Sequence, residues 1–227
     1  MDSDQLAAMR QAYQAEGLDE RDLVRDPYEQ LDTWLKAAID AELPEPNAMV
    51  LSTVANTTSG GGCPSTRTVL LKGVRGFELG GGLIFYTNHT SRKGQELAAN
   101  PNACVLFPWH AIGRQVSVTG RVERLPGEES AAYFRSRPRG SQLGAWASHQ
   151  SQPVASPAQL RARYRELAER WPEPTEIPVP DFWGGYRLEP TEFEFWQGRP
   201  DRLHDRLVYR RSREHSAAGW EITRRSP

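Results

Sequence analysis

Residues 193–206, FEFWQGRPDRLHDR, carry the densest pattern in the chain. Phenylalanine alternates with glutamate up to Trp196, which is the period of a half-buried β-strand. Beyond a glycine and a proline, Arg202, His204 and Arg206 occupy every second position, so an extended backbone would place all three side chains on one face. The pattern predicts either an anion site beside the tryptophan or a solvated edge strand whose charges discourage pairing.

The composition bounds the class of protein. The 227 residues include 28 Lys and Arg against 29 Asp and Glu, which gives a net charge of −1 instead of the basic excess typical of nucleic-acid binders. No apolar run approaches the ~20 residues of a membrane span, and the first residues lack the apolar region of a secretory signal. Cys63 and Cys104 are isolated, so neither a zinc site nor a disulfide framework is indicated. We therefore expect a cytoplasmic protein.

Short segments of β-type sequence, joined by Gly- or Asn-rich turns, lie on both sides of the opening stretch. They are residues 48–54, 65–72, 83–87, 103–109, 114–125, 183–188, 192–196, 207–211 and 220–223. Residues 183–188 and 192–196 are expected to pair with each other. No GxGxxG motif follows a strand, so the pattern predicts a barrel-like antiparallel sheet with helices packed outside it.

Helices are predicted at residues 4–16, after Asp26-Pro27, from Pro126 to about Ser136, and after Ser156-Pro157. Apolar residues at helical spacing mark the buried faces of the second and fourth helices. These faces are Leu31, Trp34, Leu35, Ala38 and Ile39, and Leu160, Tyr164, Leu167 and Trp171. We expect residues 1–25 to form an N-terminal segment and residues 26–227 to form one domain.

Two cations stand where a helix would favour acids. The sequence around Ser91 reads as a capped helix start, yet Arg92 and Lys93 fall in the first turn, where the helix dipole disfavours positive charge. A phosphate bound at that helix end would reverse the preference, and a tolerated surface pair is the alternative. Arg67 and Lys72 are separated by an odd number of positions, so a regular strand would place their side chains on opposite faces. Either the two side chains bind different anions, or one of them is solvated.

A third set of donors surrounds the end of the helix before Pro138. Tyr133 and Arg137 stand four residues apart, and the hydroxyl of Ser141 follows. Phenol, guanidinium and hydroxyl groups are donors that phosphate recognition uses. An ordinary basic helix end explains the same residues, and the local pattern alone leaves both interpretations open.

Several long blocks together resemble the pyridoxamine 5'-phosphate oxidase family, over nearly the whole chain. They are RTVLLK at 67–72, FYTNHTSRKGQEL at 85–97, FPWH at 107–110, RQVSVTGRVERL at 114–125, YFRSRPRGSQLGAWAS at 133–148, FWGGYR at 182–187 and FWQGRPDRLHDR at 195–206. The resemblance implies a mainly β fold, the antiparallel FMN-binding split barrel, with packed helices. It also implies a homodimer whose active sites lie at the subunit interface.

Site residues follow from the resemblance by motif position. FMN contacts would come from Arg67, Thr68, Val69, Leu70, Leu71, Lys72, Tyr86, Thr87, Arg92, Lys93, Gln115, Gln150, Ser151, Trp196 and Arg206. Lys72, Tyr133, Arg137 and Ser141 would bind the 5'-phosphate of the substrate. Arg202, Leu203 and His204 would lie against its pyridine ring, with Arg202 and His204 catalytic. Arg10 and Tyr13 would contact the substrate from residues 1–25, since the family uses this segment as a cover over the active site.

The activity that the resemblance implies is oxidation of pyridoxamine or pyridoxine 5'-phosphate to pyridoxal 5'-phosphate. In the family a hydride passes to FMN, and dioxygen reoxidises the flavin to give hydrogen peroxide. No metal, nucleic acid or membrane is expected to take part. A flavin reductase on the same barrel with another substrate is one alternative, and a non-catalytic pyridoxal phosphate carrier is another.

Overall fold

The computed structural model describes residue 2 and residues 17–56, 61–76, 80–212 and 219–227. Within these residues the helices are α1 (Pro27–Asp40), α2 (Arg92–Ala99), α3 (Gly127–Ser136), α4 (Arg139–Ala147) and α5 (Pro157–Arg170). The strands are β1 (Ala48–Asn56), β2 (Gly62–Leu70), β3 (Gly73–Arg75), β4 (Gly82–Asn88), β5 (Asn102–Trp109), β6 (Arg114–Arg124), β7 (Trp183–Gln197), β8 (Asp205–Arg211) and β9 (Trp220–Arg224). The helix predicted at residues 4–16 lies outside the described residues.

Hydrogen bonds join the strands in the order β2-β1-β5-β6-β7-β4-β3, with β8 beside β7 and β9 beside β8. The pairs β3–β4, β4–β7, β7–β8 and β8–β9 are all antiparallel. The prediction of a mainly antiparallel sheet with packed helices is confirmed. Among the described residues, no helix is both long enough and apolar enough to cross a membrane.

Strand β7 corrects one prediction from the sequence. Residues 183–188 and 192–196 do not pair with each other, because they are the two halves of one 15-residue strand that continues through Pro190. The first half pairs with β4, where Leu83 lies opposite Leu188, and the second half pairs with β8, where Trp196 lies opposite Arg206. Each half pairs with a different strand, so the proline does not become the tip of a hairpin.

The chain divides into two compact units. The first unit consists of Met1–Val50, Val105–Thr119 and Pro190–Pro227. The second consists of Leu51–Cys104 and Gly120–Glu189.

In the first unit, helix α1 begins as predicted. Asp26 caps it by accepting a hydrogen bond from the backbone N–H of Tyr28 at 2.8 Å. The buried face includes Leu31 and Trp34, and the Trp34 ring packs edge-on against Phe195 at 5.2 Å between centroids. Ile39 was predicted on this face but is 54% exposed in the last turn of the helix.

In the second unit, helices α3 and α4 bury Phe134 and Leu143 in one cluster with Ile177 and Trp183. Helix α5 begins at the predicted cap, because Ser156 accepts a hydrogen bond from the N–H of Gln159 at 3.2 Å. None of the helix's own residues is buried, and the predicted buried face is wrong for Leu160 and Tyr164, which are exposed. Among the described residues of α5, Leu167 and Ala168 pack against the cluster.

Candidate functional site

A cleft of about 390 Å³ lies in the second unit. It is lined by most of the predicted site residues of that unit. It lies at the end of β2, beside β4 and the first turn of α2, and against α3, α4 and the start of β7. Its lining residues are Thr68, Val69, Leu70, Lys72, Tyr86, Thr87, Lys93, Tyr133, Arg137, Pro138, Ser141, Gln150 and Trp183. All of these except Pro138 and Trp183 were predicted as site residues from the sequence.

The first turn of α2 is held by short-range contacts that the sequence dictates. Ser91 caps the helix by accepting a hydrogen bond from the N–H of Gly94. A side chain at position 94 could not fit, because a Cβ there would collide with the backbone carbonyl of His89. Arg92 and Lys93 therefore lie in the first turn as predicted, and Lys93 is buried while the Arg92 side chain is 58% exposed.

Lys93 is a buried cation that faces neutral partners. Its Nζ donates to Oγ1 of Thr87 at 3.2 Å and to Oε1 of Gln150 at 2.9 Å. Burial, together with repulsion from Arg67, lowers its pKa to about 8, against an opposing effect of Glu96. An anion in the cleft would stabilise the charged form of Lys93, so this corner of the cleft suits a negatively charged group.

Arg137 carries a second cation into the same cleft. Its guanidinium lies 4.9 Å from the centroid of the Trp183 ring and 5.8 Å from that of Phe134. Burial lowers the pKa of Arg137, with a smaller opposing effect from Tyr133. The Nη1 atom is buried and has no hydrogen-bond partner among the described residues. A buried unpaired donor costs about 1–3 kcal/mol, and an anionic ligand in the cleft would remove that cost.

Three aromatic rings form a stacked wall of the cleft. Tyr86 stacks on Tyr133 with centroids 3.9 Å apart, and on Trp183 at 5.4 Å. The angles between ring planes are 20° and 13°. Trp183 was not predicted as a site residue, although it begins β7 and lies within the family motif FWGGYR at residues 182–187. Its role depends on α3 reaching it from a distant part of the chain.

Arg67 was predicted to contact a cofactor, but its side chain is bound within the protein. Its Nη1 donates to Oγ1 of Thr53 and to the carbonyl of Leu51, and its Nη2 donates to Ser65 and to Oε2 of Glu96. Strand β2 ends at Leu70, so Lys72 lies beyond it and the opposite-face argument does not apply to it. Lys72 lines the cleft, whereas Arg67 is not among the lining residues.

The remaining predicted residues of the second unit lie around the cleft. Leu71 is 5% exposed, between two cleft-lining positions. Ser151 follows Gln150 in the loop after α4 and has a left-handed φ of 70°. The two residues also line a smaller pocket of about 250 Å³ that extends to α5.

The first unit holds the other predicted residues, and the expectation for Arg202 is wrong in its geometry. Arg202 does not lie on extended backbone with His204 and Arg206, because residues Pro200–Arg202 form a tight turn. Asp201 and Arg202 have φ angles of 54° and 62°, and strand β8 begins only at residue 205. The fixed φ of the proline begins this turn, which period-two spacing could not reveal.

Within this segment His204 and Arg206 have separate partners. The His204 ring lies 4.7 Å from the Trp196 ring, and its Nδ1 accepts a hydrogen bond from the N–H of Arg199 at 3.0 Å. Arg206 makes a two-point ion pair with Glu194, at 2.9 and 3.0 Å. Repulsion between neighbouring cations is therefore relieved inside the chain.

Leu203 is 70% exposed beside the turn, and Gln115 is partly buried on β6. Arg10 and Tyr13 lie outside the described residues. All the assigned ligand roles stay predictions at this point.

Comparison with known proteins places the chain in a family. Residues 35–170 match the family model described as pyridoxamine 5'-phosphate oxidase, and residues 183–227 match the one described as the pyridoxine 5'-phosphate oxidase C-terminal dimerisation region. The chain belongs to the pyridoxamine 5'-phosphate oxidase family. The match to the second model also indicates a homodimer.

Two curated relatives are named pyridoxine/pyridoxamine 5'-phosphate oxidase. The protein from Paraburkholderia phytofirmans is 53% identical, over 98% of this chain and 99% of its own length. The protein from Thermobifida fusca is also 53% identical, over 100% of both chains.

Solved structures with similar folds extend the comparison. PhzG from Burkholderia lata, solved with tetrahydrophenazine-1-carboxylic acid, matches with a TM-score of 0.83 and 32% identity, over 96% of this chain and 100% of its own. A pyridoxamine 5'-phosphate oxidase-related, FMN-binding protein from Nostoc punctiforme matches with a TM-score of 0.69 and 16% identity, over 90% of this chain and 100% of its own. These likenesses confirm the predicted split-barrel fold class.

Proposed function

We propose that the protein is an FMN-dependent oxidase that converts pyridoxamine 5'-phosphate and pyridoxine 5'-phosphate to pyridoxal 5'-phosphate, in vitamin B6 salvage. Dioxygen is the electron acceptor and hydrogen peroxide the second product. The observation that carries the proposal is the buried, unpaired Nη1 of Arg137 in a cleft shared with Lys72, Tyr133 and Ser141. The names of relatives at 53% identity support the same activity.

The cleft fits FMN because it has a second set of phosphate-binding groups, separate from the set around Arg137. The first turn of α2 supplies backbone N–H groups with Arg92 and Lys93, and within the described part of the chain Lys93 donates to no carboxylate. The flavin, when bound, supplies the redox chemistry as acceptor of the substrate hydride and donor to dioxygen. The proposed FMN-holding residues are those predicted from the sequence, including Arg67.

The proposed substrate site joins a phosphate anchor to ring contacts. Lys72, Tyr133, Arg137 and Ser141 bind the 5'-phosphate and fix the substrate's position, since a bound phosphate leaves the ring few orientations. Because Nδ1 of His204 accepts a hydrogen bond, a neutral ring carries its proton on Nε2 and can donate it to a substrate atom.

Three further features belong to the same proposal. Arg202 orients the pyridine ring beside His204. The active sites form at the interface of a homodimer, as the match of residues 183–227 to a dimerisation region suggests. Residues 1–25 act as a cover over a single domain of residues 26–227.

An anaerobic bleaching experiment tests this function. The purified protein, loaded with FMN, is mixed without oxygen with pyridoxamine 5'-phosphate or pyridoxine 5'-phosphate, and flavin absorbance is followed. We expect bleaching and formation of pyridoxal 5'-phosphate in both cases. A pyridoxal phosphate carrier would bind without bleaching. Persistent flavin absorbance with both substrates would reject the oxidase.

A second candidate is oxidation of a different aromatic substrate, which the 32% identity to PhzG favours. That structure holds a tetrahydrophenazine carboxylic acid, which has no phosphate group. The same bleaching experiment with pyridoxamine, which lacks the phosphate, separates the candidates. If the cleft cations serve a phosphate, pyridoxamine should bleach the flavin far more slowly than its 5'-phosphate.

Replacing Trp183 with phenylalanine should weaken substrate binding moderately. Phenylalanine keeps an aromatic ring but is a poorer partner for the Arg137 guanidinium, a difference of about 1 kcal/mol. We expect KM for pyridoxamine 5'-phosphate to rise about fivefold with kcat nearly unchanged, as measured by steady-state kinetics. Trp171→Phe is the matched control. The guanidinium of Arg170 lies 5.2 Å from the centroid of the Trp171 ring, but Trp171 does not line the cleft. Equal effects of the two changes would contradict the assignment.

Binding of FMN should weaken as pH rises through the pKa of Lys93. This pKa lies at about 8 in the protein without ligand, so the lysine is charged below that pH and neutral above it. Since the phosphate favours the charged form, affinity should be greatest near pH 7 and fall about tenfold by pH 9.5, measured by quenching of flavin fluorescence. Riboflavin, which lacks the phosphate, and the variant Lys93→Arg should show flatter profiles. A flat profile for FMN and the unaltered protein would argue against contact between Lys93 and the phosphate.

A further inference from the structure

Glu96 is a buried carboxylate on α2 that no site prediction included. Its side chain is 5% exposed. Oε2 accepts hydrogen bonds from the hydroxyl groups of Thr53 and Ser65, the latter at 2.6 Å. The guanidinium of Arg67 lies 3.1 Å from the same oxygen, and Nε of Arg92 donates to Oε1 at 2.8 Å. Four donors from three parts of the chain therefore converge on one carboxylate.

These contacts keep the carboxylate charged. Burial by itself raises the pKa of Glu96, but hydrogen bonds from Ser65, Thr53, Arg92 and Arg67 outweigh it and lower the pKa to about 2. The residue is thus an anion at all ordinary pH values. It stands between two guanidinium groups, next to a buried lysine.

Helix stability does not account for this arrangement. Arg92 and Glu96 form an i,i+4 pair with the arginine on the N-terminal side, which is the weaker orientation for such pairs. Arg92 also lies at the helix end where the dipole disfavours a cation. The pair holds Arg92 at a helix end that the dipole does not favour, and an anion bound there would offset this cost.

The atoms used in each contact show what the carboxylate fixes. Arg92 uses Nε toward Glu96, and among the described residues its two Nη groups have no acceptor. Arg67 uses both of its Nη groups on partners within the protein, so it holds Glu96 in place together with Thr53 and Ser65. The order of contacts runs from β1 and β2 through Arg67 to Glu96, and from Glu96 to Arg92.

We propose that Glu96 is a positioning residue, which fixes the guanidinium of Arg92 in the orientation that binds the phosphate group of the cofactor. Arg67 then supports Glu96 through the contact of its Nη2 group. This inference rests on the proposed function in one respect, that FMN places its phosphate at the first turn of α2.

A positioning role of Glu96 and a purely electrostatic role predict opposite changes of FMN affinity when the carboxylate is removed. Removing a carboxylate near a phosphate relieves repulsion, so a purely electrostatic role predicts tighter FMN binding in Glu96→Gln. If position matters more, the amide cannot accept from all four donors, Arg92 loses its fixed orientation, and FMN binds more weakly. Glu96→Asp keeps the charge but withdraws the carboxylate by one methylene, and only the positioning role predicts weaker binding there.

The experiment measures the dissociation constants of FMN and riboflavin with the full-length protein freed of flavin. The variants are Glu96→Gln, Glu96→Asp and Ser65→Ala, and the matched control is Glu166→Gln on the exposed side of α5. We expect Kd for FMN to rise about tenfold in both Glu96 variants, about threefold in Ser65→Ala, and not at all in the control. Kd for riboflavin should not change, because riboflavin has no phosphate to position.

The affinities of the variants for FMN and riboflavin can reject the positioning role of Glu96. FMN binding by Glu96→Gln that equals or exceeds that of the unaltered protein overturns the proposal, and so does an equal loss of riboflavin and FMN, which marks a purely structural residue. If the Glu96 variants fail to fold, Ser65→Ala decides the question, since an unchanged ratio of FMN to riboflavin affinity there rejects positioning. An unaltered protein that binds neither flavin would reject the proposed function itself.

Discussion

Replacing Arg92 and Lys93 together with alanine is expected to give a largely colourless protein. Two charge-assisted contacts to the FMN phosphate are lost, at about 1.5–3 kcal/mol each, so Kd should rise by roughly 100- to 10,000-fold. The buried position of Lys93 among neutral partners places this effect toward the upper end, because a desolvated cation gains more from an anion than an exposed one does.

Flavin content after purification and fluorescence titration measure the effect. The matched control is Arg161→Ala with Arg165→Ala, which also removes two cations from one helix, on the exposed side of α5. The control should keep its colour. Full FMN occupancy of the Arg92 and Lys93 double variant at micromolar cofactor would show that the phosphate binds elsewhere.

Arg137→Ala should raise KM for pyridoxamine 5'-phosphate more than any other single change in the substrate site, by about 100-fold. The guanidinium brings a buried donor without a protein partner to the cleft, and a contact to a dianionic phosphate is worth about 1.5–3 kcal/mol. Because the phosphate does not change during the reaction, ground and transition states lose the same interaction, and kcat should stay within a few-fold of its original value.

Steady-state formation of pyridoxal 5'-phosphate separates the two constants. Arg135→Ala is the matched control, since Arg135 lies two residues earlier, in the last turn of α3, but is exposed and paired with Glu176 at 2.8 Å. Activity with pyridoxamine, which lacks the phosphate, should be equally poor in the variant and the unaltered protein. A fall in kcat at unchanged KM would assign Arg137 to the chemistry and remove it from the phosphate anchor.

The site was accessible from the sequence to the extent that its residues lie in local motifs. The cap at Ser91 and the glycine that must approach a carbonyl put Arg92 and Lys93 in the first turn of α2. Tyr133, Arg137 and Ser141 follow one another around Pro138, so a few residues of chain bring their side chains to one cleft. Spacing along a helix or turn is local physics, which the order of residues specifies.

Contacts between distant parts of the chain could not be obtained in this way. Glu96 reads as an ordinary surface acid of a helix, and only the approach of β1 and β2 makes it a buried acceptor for Thr53 and Arg67. The motif position of Arg67 predicts a cofactor contact, but it could not reveal that Nη1 also donates to Thr53 and Leu51 inside the protein. A side chain's partner depends on what the tertiary fold places beside it.

The sequence by itself determined the antiparallel class, the start of α1 and the cations of the cleft, because caps, proline positions and residue periodicity act over a few residues. Only the tertiary structure decided that β7 runs unbroken through Pro190 and that Trp183 supports Arg137. The physical reason is that strand partners and ring contacts form across long separations in the chain. Their free energy overrides local preference and is not encoded at any one position.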